Sequence, residues 1–213
     1  MKHEILVADD HAIIRDGLRK ILEDTEDLVV AGEAGDGNAA LQRVRERDWA
    51  MVMLDLSMPG RNGIELIKLM KDERPKMPIL IFSMHPEEQY AVRTIRAGAS
   101  GYLSKEEDSD FFLPAIRRVV GGGMYISPKV AELLAQDVSH KTSPTHAELS
   151  NREFEVLIRI VRGVSLTDIS KEFNLSIKTI STHKTHVLTK LGLASQADLV
   201  RYAIEHKLLD LDG

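Results

Sequence analysis

Two carboxylates stand side by side in "EILVADDH", where the apolar run Ile5–Ala8 ends in Asp9 and Asp10. Like charges at the end of a buried strand repel, and each is costly to desolvate, so the pair calls for a compensating charge. A third carboxylate, Asp55, closes "VMLD", and Pro59-Gly60 turns the chain soon after it. Brought together, the three would raise one another's pKa, and a hard divalent cation removes that conflict. Mg²⁺ takes about six oxygens but only one or two carboxylates, leaving the rest to water, carbonyls and phosphate. Ser83 after "ILIF" and Lys105 after "GYLS" add a hydroxyl and an ammonium. Metal and lysine would offset the charge of a phosphoryl group, and the hydroxyl would hydrogen-bond one of its oxygens. Asp55 is then the nucleophile that forms an acyl phosphate.

The elements that must position these residues are legible as alternating runs. Apolar stretches at Ile5–Ala8, Leu28–Ala31, Met51–Leu54, Ile79–Phe82 and Gly101–Leu103 predict strands. Helical periodicity lies between them, near residues 11–24, 37–47, 63–73, 87–97 and 109–120. Short, continuously apolar strands separated by amphipathic helices predict a five-stranded, doubly wound parallel sheet of the flavodoxin-like type. Ligands of such folds bind beyond the carboxyl ends of the strands. Asp9, Asp10, Asp55, Ser83 and Lys105 all fall at or just past a predicted strand end.

Composition narrows the function classes. The chain has 213 residues, 43% hydrophobic and 29% charged, with no apolar stretch long enough to span a membrane. Acidic residues near the N-terminus replace the apolar core of a signal peptide, so export is not expected. Cysteine is absent, which removes disulfides and thiolate chemistry and suits a reducing cytoplasm. Residues 1–124 hold 17 basic against 22 acidic residues, the whole net charge of −5, whereas residues 149–207 hold 9 against 6. An acidic module thus precedes a mildly basic one, which permits nucleic-acid binding at the C-terminal end.

The organisation follows this split. "VVGGGMYIS" ends a first domain over 1–124, because three glycines cannot continue a helix. A short helix at Pro128–Gln136 and a polar linker at 137–148 occupy residues 125–148. Residues 149–213 predict a small all-α domain of four helices. The first opens on the capping-box pair Ser150 and Glu153, and the second on Ser165 and Asp168. On the third, Ile177, Ile180, Val187, Leu188 and Leu191 share one face, while Lys178, Thr182, Thr185 and Thr189 form a polar stripe edged by Ser181. A short helix leading into it across a tight connection is helix-turn-helix geometry, and Ser195–Lys207 is the fourth helix. Lys184 falls on the core side by phase, with a stem that can pack while its ammonium reaches outward. His183 and His186 lie three apart with no third ligand evident, so no metal site is assigned there.

Residues 1–120 resemble the receiver domain of two-component response regulators, through Asp9-Asp10, "MLDLSMPGRNGIEL", Ser83 and "AGASGYLSK". Residues 149–208 resemble the LuxR-type helix-turn-helix, through "LSNREFEVLIRIVRG" and "LSIKTISTHKTHVLTKLGL". Together they are similar to the NarL/FixJ family. The resemblance implies Asp55 as phosphoacceptor, Mg²⁺ on Asp10, Asp55 and the main-chain carbonyl of Ser57, and Asp9 acting through water. It implies Ser83 and Lys105 as phosphoryl contacts and Ser83 with Tyr102 as the switch. Lys178, Ser181, Thr182, Lys184 and Thr185 become DNA-contact candidates, with Ser181 standing where a basic residue is usual. The implied partners are a histidine kinase or small phosphodonor, promoter double-stranded DNA and a second copy of the chain. The expectation is a transcription regulator and not an enzyme. The rival reading, an aspartate-nucleophile phosphohydrolase, favours an acid two residues after the nucleophile, and Ser57 stands there instead. A second rival, helices that bind protein and never DNA, separates by the salt dependence of duplex binding.

Overall fold

Five apolar runs form one sheet in the computed structural model of the chain, which describes residues 2–59, 63–139, 146, 149–206 and 208, the side chains of 136–139 and 151 excepted. The strands are β1 (His3–Ala8), β2 (Leu28–Ala34), β3 (Met51–Leu54), β4 (Ile79–Ser83) and β5 (Gly101–Ser104). All pair in parallel, in the order β2-β1-β3-β4-β5. A parallel sheet is covered on both faces, and the alternation of side chains divides the core accordingly. Ile5, Val7, Met51, Met53, Leu80, Phe82 and Leu103 join one cluster with residues of α1 (Ala12–Glu23) and α5 (Phe112–Val120). Leu6, Val52, Leu54, Ile79 and Ile81 alternate with them and are equally buried on the other face. There α2 (Gly37–Glu46), α3 (Gly63–Glu73) and α4 (Glu87–Arg96) pack side by side.

β2 runs three residues past its expected end at Ala31. Gly32 and Glu33 are poor strand formers, but each is held by a neighbour. Glu33 takes Arg15 and Arg19 of α1. At Gly32 an added Cβ would stand 2.3 Å from the Trp49 ring, so only glycine lets the ring close over the strand. The register slips between Ile5 and Leu6, and the carbonyl of the extra residue Ala31 accepts from Arg47 (3.0 Å).

The chain divides into two compact units, Met1–Ser139 and His140–Gly213. In the first, α6 (Pro128–Ser139) packs on α4. Val130 is fully buried, Ser127 Oγ donates to Glu87 Oε1 (2.7 Å), and Lys129 pairs with Glu88. The second unit contains α7 (Asn151–Val161), α8 (Leu166–Glu172), α9 (Ile177–Leu191) and α10 (Gln196–Glu205). Each begins on a serine whose side chain accepts an otherwise orphan backbone N–H: Ser150, Ser165, Ser176 and Ser195. Between α8 and α9 the chain turns through Asn174 at φ +51°, a left-handed conformation that asparagine tolerates. Of the expected linker, residues 137–139 instead continue α6 past its expected end at Gln136. Residues 140–145, 147 and 148 lie outside the described residues, as do Gly60 of the expected turn and Lys207 of the fourth helix.

Candidate functional site

Strand register brings the acidic residues to one level. Ala8 pairs with Leu54, so Asp9 and Asp55, one step further, leave neighbouring strands together, and the Asp55 amide donates to the Ala8 carbonyl (2.8 Å). Ser83 pairs with Ser104, and the amide of Lys105 donates to the Ser83 carbonyl (2.9 Å). All four positions therefore meet at the carboxyl ends of the strands, as this topology requires.

Asp9 and Asp55 are 1% and 2% exposed. Between them lies the ammonium of Lys105, 2.7 Å from Asp9 Oδ2 and 2.9 Å from Asp55 Oδ2. Burial alone would lower the lysine pKa, but the two carboxylates outweigh it and hold Lys105 above its ordinary value. The other oxygens are also held. Asp9 Oδ1 accepts from the His11 amide (2.9 Å), and Asp55 Oδ1 from the Ser57 amide (3.2 Å). Asp10 is exposed at the mouth, its Oδ1 2.9 Å from His11 Nδ1. Arg15 fixes the pair from behind, donating to the Asp9 carbonyl (2.7 Å) while its Nε binds Glu33 (3.0 Å).

Three carboxylates against one ammonium leave two negative charges at a partly buried site. Ligand atoms of Asp9, Asp10, His11 and Asp55 all lie within 4.8 Å of one another, the one such group among the described residues. Charge, donor type and spacing fit a divalent cation.

Ser83 and Tyr102 meet through His85. The amide of His85 donates to Ser83 Oγ (3.3 Å), and its carbonyl accepts from the Tyr102 hydroxyl (2.7 Å). Tyr102 is 1% exposed, and burial pushes its phenol well above the ordinary value, with the nearby Ser83 hydroxyl acting in the opposite direction. His85 also stacks on Tyr90 of α4 (4.3 Å) and lies 3.1 Å from Ser57 Oγ through Nε2. Sequence reasoning missed His11, Arg15 and His85. The signal for the two histidines was present: each stands within two residues of a strand-end site residue.

In the second unit, Lys178, Ser181, Thr182 and Thr185 are exposed on α9. The hydroxyls of Thr182 and Thr185 donate back to the carbonyls of Lys178 (3.0 Å) and Ser181 (3.1 Å), which leaves methyls and lone pairs for an outside partner. Lys184 is half-buried and donates to Gln196 of α10 (2.9 Å), away from that stripe. Ile180, Val187 and Leu191 are buried as the helical phase requires, whereas Ile177, at the first position of the helix, is 49% exposed. Glu153, 4% exposed, closes the capping box with Ser150 and binds Lys190 at the far end of α9 (2.7 Å). Burial alone would raise its pKa; Lys190 and Ser150 more than reverse this and hold it below 4.5.

Residues 5–117 match the response regulator receiver domain family, and residues 147–203 match the luxR family of bacterial regulatory proteins. The chain is 38% identical to the oxygen regulatory protein NreC of Staphylococcus haemolyticus (strain JCSC1435), covering 97% of this chain and 99% of that protein. NreC of Staphylococcus aureus (strain JH9) matches with the same identity and coverage. Among solved structures, RcsB of Salmonella enterica serovar Typhimurium, bound to promoter rprA in the presence of the phosphomimetic BeF3⁻, is 30% identical. That match covers 95% of this chain and 98% of RcsB, with a TM-score of 0.62. No helix among the described residues is long and apolar enough to cross a membrane. The chain belongs to the NarL/FixJ family of two-component response regulators, non-enzymatic transcription regulators that join a receiver domain to a LuxR-type DNA-binding domain.

Proposed function

We propose that residues 1–124 are a receiver that accepts a phosphoryl group on Asp55, and that residues 149–213 bind promoter DNA in response, joined through residues 125–148. The observation that carries this reading is the buried Lys105 ammonium touching both Asp9 and Asp55, with Asp10 open at the mouth. An oxygen of Asp55 attacks the phosphorus of a histidine kinase phosphohistidine or a small acyl phosphate. The P–N or P–O bond to the donor breaks, and the leaving group departs with the bonding electrons, an imidazole taking a proton from solvent and a carboxylate leaving as the anion. Asp9, Asp10, Asp55 and the main-chain carbonyl of Ser57 would hold Mg²⁺, which neutralises charge on the transferred oxygens when bound. Lys105 neutralises another oxygen, and Ser83 hydrogen-bonds the third.

Switching follows from the shared peptide of His85. A phosphoryl oxygen that draws Ser83 Oγ acts on the same residue whose carbonyl holds Tyr102. In this reading the chain works in the cytoplasm, two activated copies bind two half-sites, and Lys178, Ser181, Thr182 and Thr185 face the groove or its phosphates, while Lys184 is held to Gln196.

The test is intact mass after incubation with acetyl phosphate and Mg²⁺. A phosphoryl adduct is expected on the wild-type chain and absent in Asp55→Asn and in EDTA. An adduct that persists in Asp55→Asn overturns the assignment.

A further inference from the structure

The acidic site has a buried side and an open side, held by different atoms. On the buried side Lys105 sits against Oδ2 of Asp9 and of Asp55. On the open side His11 Nδ1 lies 3.2 Å from Asp9 Oδ1 and 2.9 Å from Asp10 Oδ1. His11 occupies the N-cap of α1, yet its side chain makes no capping bond. The ring is turned instead to the two carboxylates, and the amide of the same residue is tied to Asp9 Oδ1 (2.9 Å).

A hydrogen bond explains only part of this. An imidazole nitrogen carries at most one hydrogen, so it can donate fully to one oxygen and not to two. Donors roughly 3.0 Å apart are what a small six-coordinate ion requires, since its ligands stand at roughly 2.1 Å and adjacent ones subtend a right angle. The separations of 2.9 and 3.2 Å match that edge.

We infer that His11 is a fourth side-chain donor to the cation site, which makes it a site for imidazole-accepting divalent cations such as Mn²⁺ and Ni²⁺ as well as Mg²⁺. This rests on the cation reading of Asp9, Asp10 and Asp55 given above. Mg²⁺ is served by oxygen ligands, whereas affinity for a mixed nitrogen and oxygen set climbs from Mn²⁺ to Ni²⁺. The residue after the acidic pair thereby sets which metal the receiver prefers.

Pulsed electron paramagnetic resonance of the full-length chain with substoichiometric Mn²⁺ tests this directly. A ¹⁴N modulation from a coordinated imidazole is expected, lost in His11→Gln and displaced by excess Mg²⁺. Calorimetric titration should show His11→Gln weakening Ni²⁺ by about tenfold more than it weakens Mg²⁺. Bound Mn²⁺ without nitrogen modulation overturns the inference, as does no Mn²⁺ binding. A modulation that survives His11→Gln, or that Mg²⁺ does not displace, also overturns it by placing the nitrogen on another histidine. The two readings fail separately. Absence of an acetyl phosphate adduct on the wild-type chain in Mg²⁺ counts against phosphorylation alone, and Mn²⁺ bound by oxygen only counts against His11 alone.

Discussion

Asp55→Asn should stabilise the metal-free protein while abolishing phosphorylation. At the widest separation within the cluster, 4.8 Å, and an effective dielectric of about 20, Asp9 and Asp55 repel by about 3.5 kcal/mol. Asp10 is solvent-exposed, so its repulsion is discounted to about 1 kcal/mol. Removing a buried charge also removes its desolvation cost, about 3 kcal/mol. Against these stands the lost attraction to Lys105 at 2.9 Å, about 6 kcal/mol on the same dielectric. Lys105 is not orphaned, because Asp9 still pairs with it at 2.7 Å. The balance is a gain of about 1–2 kcal/mol, or roughly 3–8 °C in the melting temperature of the first unit. Scanning calorimetry in EDTA reads it. Millimolar Mg²⁺ should then raise the wild-type transition more than that of Asp55→Asn, since a ligand stabilises the state it binds. A lower melting temperature for Asp55→Asn in EDTA would refute the reasoning, for the Lys105 pair would then outweigh the carboxylate repulsion.

Other outcomes are equally concrete. Lys178→Ala should weaken duplex binding across all sequences and reduce the salt slope by about 1, read by fluorescence anisotropy at several salt concentrations. The folded pKa of Glu153 is lowered, so its contribution is present above the ordinary value of 4.5 and lost as pH falls through the folded pKa. Glu153→Gln should therefore flatten the acid limb of the second unit's stability curve, measured by urea denaturation between neutral pH and acid. Gly192 caps α9 at φ +66° with open space where a side chain would go, so Gly192→Ala should cost about 1 kcal/mol through backbone strain alone, measured by the same method.

Local chemistry made much of this architecture readable. Apolar runs of about four residues, alternating with longer amphipathic stretches, are too short for helices and fit strands buried on both faces, and residues at their carboxyl ends converge because parallel strands end together. That logic reached Asp9, Asp55, Ser83 and Lys105. It stopped where one element completes another. Gly32 and Glu33 extend β2 only because Trp49 and Arg15 lie against them, partners distant in sequence. The docking of α6 on α4 rests on Val130 and on the pairs Ser127–Glu87 and Lys129–Glu88, which a helical wheel cannot couple. Ile177 has the phase of a core residue but stands at the end of its helix. Lys184 likewise has a phase but no partner until Gln196 arrives from α10.

The chain contains a single tryptophan, and its place in the sheet decides what optical spectroscopy can report. Trp49 precedes β3 and Asp55 follows it, but the indole packs on Gly32, which pairs with Leu6, three residues short of Asp9, so the ring lies roughly 10 Å from the level of the acidic site. It is 6% exposed, bonded through Nε1 to the Arg43 carbonyl (2.9 Å), with the Arg47 guanidinium stacked 3.9 Å from its ring centroid. Tryptophan fluorescence will therefore follow the melting of the first unit, to which the indole belongs. A second indole at Tyr90, stacked on His85, would watch the switch residues from within contact distance.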